Sequence, residues 1–531
     1  MSTQPALFPD FASDSGPVSA FPLAVIELGT SAIRMAIGVT DGVSEVQEVE
    51  QLVQGISLGK DTFTGGDIKK KTQQQCVDVL KTYRRKLEEY QCTNPQHIRV
   101  VATSAVREAQ NRMAFLDRIY TSTGFNVEVI DDAEIARVTY LAMRPVIQSH
   151  RKLQDATTIL MEVGGGNSDV LILRGKDILH SQSWRLGSLR LQQMLKSWKT
   201  TAAQSVGVMT GHIERTLEQI HETVPKDQPV ELMALGGDVR FAARELQRDP
   251  SQSPFVRLPV KELAKLTREM RNLTIDQIVL KYHVELSQAE TLVPALMTNV
   301  LAAQMLGVSE ILVTPFNLRN ALLKSMLRSS EWTEEFCDQV IHSARDFARR
   351  YHVELAHVEH VAKLSRQLFR GLQEEHQLDL RCETILYVAA LLHETGLYVS
   401  QNAYHKHSYY LISHGELFGL SSLDQQLVAL VARYHRRAVP KPSHDPYTRL
   451  PRESRVIMSR LAGILRLAVS LDLGRGQRIQ DVQCHPEKER LVITAQASTG
   501  DLSLEQQALR QESALFRDVF GLSVLLRHAD R

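Results

Sequence analysis

Apolar residues begin to cluster at Phe21, after a Ser-, Pro- and Asp-rich opening that reads as a flexible tail over 1–20. LAVIEL is a short apolar run that stops at Gly29, RMAIGVT follows it, and Asp41-Gly42 closes the stretch. Asp-Gly supplies the positive φ angles of a tight turn, so this stretch predicts a β-hairpin. Helical periodicity then covers about 67–90, and IRVVATSAV (98–106) predicts a strand entering a loop. A helix is expected around 110–123 and a short strand at FNVEVI, 125–130. Strands alternating with helices argue for an α/β fold.

The same design starts again downstream. TTILMEV reads as a buried strand ending in Gly164-Gly165-Gly166, with DVLILRG (169–175) as its hairpin partner. The openings IELGTSAIRMAIGVTDG and MEVGGGNSDVLILRGKD share one order: apolar strand, acid, apolar residue, small-residue turn, apolar strand. This predicts an internal duplication. After about 326 the strand patterns vanish and helical patterns run from 332 to about 475, a stretch that holds 11 of the 19 histidines. The last segment has a strand (RLVITAQA), an amphipathic helix (LEQQALRQESALFRDVF) and a final strand (LSVLLRH). The expected organisation is a tail (1–20), a first lobe (21–145), a second lobe (153–325), an all-helical domain (326–478) and a small α/β appendage (479–531).

Composition narrows the function classes. A chain of 531 residues is long enough for three or four domains. The formal net charge of +1 calls for neither a nucleic-acid nor a membrane partner. No apolar run approaches the roughly 18 residues of a membrane span, and the N-terminal segment lacks the pattern of a secretory signal. The five cysteines are scattered and never in CxxC spacing, so neither a disulfide scaffold nor a Cys-based zinc site is expected, and a cytoplasmic setting fits.

The chemistry lies in the paired turns. A strand feeding a turn of small residues bares backbone N–H groups that can cradle phosphate oxygens. A carboxylate just ahead of that turn can hold Mg²⁺ or a water against the same phosphate. Here Glu27 precedes Gly29-Thr30-Ser31, and Glu162 precedes Gly164-Gly165-Gly166. One such turn is usually only a turn; two in matching halves, each with its acid, point to function.

Together with ATSAVREAQN (102–111), VIDDAEIAR (129–137), SWRLGSLRL (183–191) and ALGGDVR (234–240), the paired turns resemble the exopolyphosphatase / guanosine pentaphosphate phosphohydrolase (Ppx/GppA) family. The resemblance implies a duplicated actin–hexokinase–Hsp70-like fold, two lobes with a cleft, that splits a terminal phosphoanhydride. The implied substrate is inorganic polyphosphate or guanosine penta- or tetraphosphate, with Mg²⁺ between the lobes held by Glu27 and Glu162. The phosphate-binding residues it implies are Gly29, Thr30, Ser31 and Arg34, then Thr103, Ser104 and Arg107. Gly164, Gly165, Gly166 and Asn167 follow, with Gly236 and Gly237 in a third turn. Donors around the equatorial oxygens, a metal and an oriented water are what phosphoryl transfer requires. Related proteins are often dimers, so a homodimer is open.

The chain departs from the family at four places. Glu27 and Glu162 stand where Asp is usual, and Asp169 where Glu is usual, which retunes the site without removing charge. The family's general base is the second Glu of a Glu-Glu-Ala-Arg run, and that position is Ile135. Isoleucine can neither accept a proton nor orient water, and general-base help is typically worth 10²–10⁴-fold. The neighbouring Glu134 could substitute only if the helix start is rotated, since adjacent helical residues point about 100° apart. The catalytic set expected is Glu27, Glu162, Asp169 and Glu134. A hydrolase slowed by Ile135 is the first reading; a non-catalytic polyphosphate or (p)ppGpp sensor is the second.

The helical region resembles an HD-type domain, which holds metal with a His, a His-Asp pair and a later Asp. Here the matching residues are His357, His393-Glu394 and Val469, so no closed metal site is expected. A polyanion channel is the sharper reading of His405, His407, Arg433, Arg436 and Arg437, against solvated arginines and helix-packing histidines.

Overall fold

The apolar run that starts at Phe21 forms the centre of a sheet. In the computed structural model, which describes residues 20–42, 46–197, 202–327, 332–436, 438–498 and 501–529, β1 (Phe21–Leu28) and β2 (Ala32–Thr40) are buried along most of their length. They pair antiparallel around the turn at Gly29. The Asp41-Gly42 turn, with Gly42 at φ 83°, leads instead toward β3 (Gln47–Gly55). That strand is mostly exposed and polar, which is why no apolar alternation announced it. β4 (Ile98–Ala102) and β5 (Val127–Val129) join in parallel, giving the order β3-β2-β1-β4-β5.

The second sheet repeats this plan. β6 (Thr157–Val163), β7 (Ser168–Arg174) and β8 (Asp177–Trp184) form the antiparallel triple. β9 (Val230–Leu235) and β11 (Glu310–Val313) lie parallel beside β6, and β10 (Val256–Pro259) adds an antiparallel edge. Read outward from the acid-bearing strand, β1 and β6 have matching neighbours on both sides, so the duplicated two-lobed fold expected from the openings is present. Helix Leu318–Ser325 packs on β1 and β2, and helix Asp132–Gln148 packs on that helix and against β7 and β8, while Ile135, Val138, Leu318 and Leu322 share a cluster with Val25 and Val101.

The chain divides into two units, Met1–Glu331 and Trp332–Arg531. The second begins with helices rather than strands. Thr333, Asp379 and Ser421 each cap a helix by accepting from the backbone N–H three residues on, the local signal that starts those helices. Helix Leu380–Leu392 is buried nearly all round, so its apolar run is a domain core rather than a span. The closing sheet, β12 (Ile479–Glu487), β13 (Arg490–Ala497) and β14 (Ser523–His528), has one strand more than the pattern predicted. The helix expected between its last strands breaks in two at Ser513. Among the described residues no helix is long and apolar enough to cross a membrane.

One glycine decides how the second lobe meets its own turn. A Cβ on Gly187 would lie 2.2 Å from the Gly166 carbonyl carbon and 2.3 Å from the Gly165 oxygen. Both obstacles are backbone and cannot swing aside. Gly187→Ala is expected to destabilise the Met1–Glu331 unit by roughly 1–3 kcal/mol, read as a lower midpoint in urea unfolding; an unchanged midpoint would contradict this packing.

Candidate functional site

Both acid-bearing strands end in turns closed in the same way. The Gly29 amide donates to the Ala32 carbonyl at 3.1 Å, and the Gly164 amide to the Asn167 carbonyl at 2.9 Å. These two amides are therefore spent inside the turns, which corrects the expectation that Gly29 and Gly164 offer them to phosphate. The later carbonyls are pulled outward. Thr30 O and Ser31 O accept from Gly59 and Ile56, while Gly164 O and Gly165 O accept from Ser188 and Leu189. In a trans peptide the following N–H points opposite its carbonyl. The amides of Ser31, Ala32, Gly165 and Gly166 are thereby turned away from those supports, the orientation an anion cradle needs.

The two turns face each other at van der Waals distance. A Cβ on Gly165 would approach Thr30 Cγ2 to 2.9 Å, and one on Gly166 would approach Ser104 Oγ to 2.4 Å. Thr30 Oγ1 and Ser104 Oγ are 3.1 Å apart, so the first turn and the loop starting at Thr103 are already joined. Gly236, at φ 109°, opens helix Gly237–Glu245 next to Glu162. Asn167 donates to Ser183 Oγ at 3.0 Å, and its own Oδ1 is buried without a partner.

Charge separates the two equivalent acids. Opposite Glu27 in the β1–β2 register sits Arg34; opposite Glu162 in the β6–β7 register sits Asp169. Arg34 Nη1 lies 4.0 Å from Glu27 Oε1, and Arg319 Nη1 donates to Glu27 Oε2 at 2.5 Å. Burial pushes the Glu27 carboxyl up, but the guanidiniums of Arg319 and Arg34 outweigh it and hold Glu27 below the usual carboxylate range. Glu162 goes the other way: burial raises it, and the nearby charge of Glu27 adds to that, against Arg240, Arg319 and Arg34. Asp169 is pushed up to about 7 by burial and by Asp132, and its Oδ1 has no hydrogen-bond partner. Asp238, half-buried in the third turn, is pushed up to about 6 by burial. Glu27 and Glu162 thus feel each other and the same arginines, on one gap rather than on opposite faces.

The remaining expected residues are placed less simply. Arg107 donates to the Ile130 carbonyl at 2.7 Å and to Asp132, so it is a braced cation and not a solvated strand end. Glu134 accepts from Arg137 Nη2 at 2.6 Å and Nε at 2.9 Å, and from Arg99 at 3.3 Å. Both its oxygens are occupied, which argues against the substitute base. Ile135 is 7% exposed, in the apolar cluster it shares with Val25, Val101 and Leu322. Asp238 and Arg240 were within the ALGGDVR motif but were not singled out. Arg319 was missed altogether, because nothing local marks it: its partner is 292 positions away.

The helical unit contains a second cluster. His357 Nε2, His393 and Glu394 present ligand atoms within 4.8 Å of one another, a tighter set than the substitutions at Glu394 and Val469 led us to expect. His357 Nδ1 donates to Asp472 Oδ2 at 2.8 Å, and His393 Nδ1 donates to the Ala390 carbonyl at 2.6 Å. His393 Nε2 is buried without a partner. Of the expected channel residues, Arg433 lies over the Tyr409 ring and Arg436 over the Tyr404 ring. His405 and His407 are half-buried on helix Tyr404–His414, and Arg437 lies outside the described residues. Burial keeps His435, beside them, well below its usual pKa, so it adds no charge there at neutral pH.

Paired anion-cradling turns with carboxylates in a two-lobed duplicated fold define a protein built to handle phosphoryl groups. The chain belongs to the Ppx/GppA phosphatase family, whose model matches residues 28–330, with the family's domain III matching 341–520. It is 22% identical over 501 residues to a guanosine-5'-triphosphate,3'-diphosphate pyrophosphatase of Photobacterium profundum, covering 92% of this chain and 95% of the relative. A protein of the same description from Pseudoalteromonas atlantica is 20% identical over 463 residues, 87% of this chain and 88% of that one. Among solved structures, an exopolyphosphatase from Cytophaga hutchinsonii superposes with a TM-score of 0.50 at 22% identity, covering 58% of this chain and 97% of its own.

Asp238 offers a direct check on the site's electrostatics. Its folded pKa lies above the usual 3.8, so its stabilising contribution is complete below that value and is lost as pH rises through about 6. Asp238→Asn is therefore expected to melt a few degrees above the parent at pH 7.5, with the gap closing below pH 4. A gap independent of pH, measured by thermal unfolding across that range, would contradict the assignment.

Proposed function

We propose that the Met1–Glu331 unit is a phosphohydrolase that releases the terminal phosphate of inorganic polyphosphate or guanosine pentaphosphate. The observation that carries this reading is the pair of facing turns whose two equivalent acids are pushed in opposite directions. Environments that drive neighbouring carboxyls apart mark a site tuned for charge and proton chemistry: Glu27 is held ionised, while Asp169, cross-strand from Glu162, has the raised proton affinity of an acceptor. The names of the relatives, a pppGpp pyrophosphatase and an exopolyphosphatase, support the same bond type.

The residues divide the work as follows. Amides of the two turns, with Thr30 and Ser104, bind the equatorial oxygens of the terminal phosphate, and Arg34 and Arg107 offset its charge. Glu162, Asp169 and Asp238 put more negative charge in a largely buried gap than it holds comfortably, which suits a divalent cation. No three carboxylates there converge as a cage among the described residues. That fits Mg²⁺, which commonly takes one or two carboxylates plus substrate phosphates, with Glu27 and Glu162 as its holders. When bound it would neutralise charge on the transferring phosphoryl group. With Ile135 unable to act, Asp169 takes the proton of the attacking water: its Oδ1 is buried, unpartnered and close to neutrality in affinity.

Phosphate release from long-chain polyphosphate and from pppGpp with Mg²⁺ tests this. Glu27→Gln and Asp169→Asn are each expected to lower kcat by about 10²–10⁴-fold, while Glu134→Ala changes it little. Binding without release in the wild type, and a large gain in Ile135→Glu, would favour the sensor reading, for which the apolar residue at position 135 is the specific argument.

In the helical unit we propose a single divalent transition cation on His357 Nε2, His393 Nε2 and Glu394. Both imidazoles have their Nδ1 engaged by an oxygen, the arrangement that aims Nε2 at a metal. Titration calorimetry with Zn²⁺ is expected to show one site per chain, weakened at least about tenfold in His393→Ala; identical isotherms would remove the proposal.

A further inference from the structure

Arg319 stands where the proposed reaction needs a cation. Its guanidinium reaches Glu27 Oε2, the carboxylate assigned to Mg²⁺, and both side chains are nearly buried, at 11% and 13% exposed. The backbone under it is fixed. Asn317 caps helix Leu318–Ser325 by accepting from Asn320 N, and Leu318, Ala321, Leu322 and Leu323 are buried in the cluster that also holds Val25 of β1. Arg240, the next guanidinium, donates to the Phe316 carbonyl two residues before that helix, so the segment is tied down on both sides.

Arg319 occupies Glu27 Oε2, and Arg34 stands 4.0 Å from Oε1, so the charge of this largely desolvated carboxylate is already matched by guanidiniums. A divalent ion that binds Glu27 through Oε2 takes the place of the Arg319 guanidinium. Arg319 cannot leave with its backbone, because that is packed; only its side chain can turn. The group it turns toward is the incoming phosphate, which matches a planar fork of donors. Arg34, by comparison, is 4.0 Å from Glu27 on the neighbouring strand and is already oriented by the hairpin register.

We propose that Arg319 is a resident counter-ion of Glu27 that exchanges places with the divalent cation and then serves the phosphate, so that cation and phosphate bind cooperatively. Arg319 acts through Glu27 in the free protein and is a positioning residue there. This inference rests on the phosphohydrolase reading for its ligands, but its test does not require turnover.

Mn²⁺ binding to the full chain, followed by water-proton relaxation with and without tripolyphosphate, reads the exchange. In the wild type Mn²⁺ is expected to bind weakly alone and about tenfold or more tighter with tripolyphosphate, within the usual range of coupling between sites. In Arg319→Ala, Mn²⁺ alone should bind about tenfold tighter, and the enhancement by tripolyphosphate should shrink by a similar factor. Arg319→Lys, which keeps the charge and loses the fork, should restore the weak Mn²⁺ binding and only part of the coupling. Unchanged Mn²⁺ affinity and coupling in both variants, with wild-type melting temperatures, would overturn the proposal. If Arg319→Ala does not fold, wild-type coupling in Arg319→Lys would overturn it alone. A chain that shows the coupling but releases no phosphate would refute the hydrolase reading and leave the counter-ion exchange standing.

Discussion

Two backbone turns can approach to contact only where side chains are missing, and the first unit is organised around that constraint. Gly165 and Gly166 leave room for Thr30, Ser104 and Phe63, and Gly187 leaves room for the second turn itself. Any Cβ at these places would hold the turns apart or shift backbone. The supports behind them, from Ile56 and Gly59 on one side and Ser188 and Leu189 on the other, hold the carbonyls outward. What faces the gap is therefore amide and hydroxyl, a surface complementary to phosphate oxygens.

Duplication placed the same element twice, and charge then made the copies different. Glu27 and Glu162 occupy equivalent strand ends, but their cross-strand neighbours are Arg34 and Asp169. Arginines beside Glu27 outweigh its burial and stabilise its ionised form; at Glu162 burial, with the charge of Glu27, does the opposite. Arg319 widens the difference by pairing with Glu27 directly. The lobes are thus alike in path and unlike in electrostatics, and the asymmetry gives the gap a direction.

The helical unit follows a related logic with other groups. His357 and His393 each have one ring nitrogen committed to an oxygen, and Glu394 pairs with Arg475. Glu394, where the resemblance leads one to expect Asp, stands with His393 in the turn after helix Leu380–Leu392, and its carboxylate still lies within 4.8 Å of the imidazole nitrogens. The substitution alone argues against a metal site; the packing nevertheless brings the three groups together.

Much of the first unit was legible from the chain itself. Strand, acid and small-residue turn are contiguous in sequence, so Glu27, Glu162 and the glycine bends could be recognised from spacing. The duplication was visible because both copies keep the same local order. Polar edge strands such as β3 were not, since an exposed strand has no apolar face to declare it. Glu134 looked available as a base because its neighbours in sequence do not reveal that Arg99, from β4, and Arg137 would take both its oxygens. Sequence alone therefore determined which residue types stand at the turns, since those depend on backbone freedom over three or four positions. Only the tertiary structure decided their charge states and companions. Arg319 meets Glu27 across 292 positions, and burial sets the proton affinity of Asp169, both being properties of where distant segments come to rest.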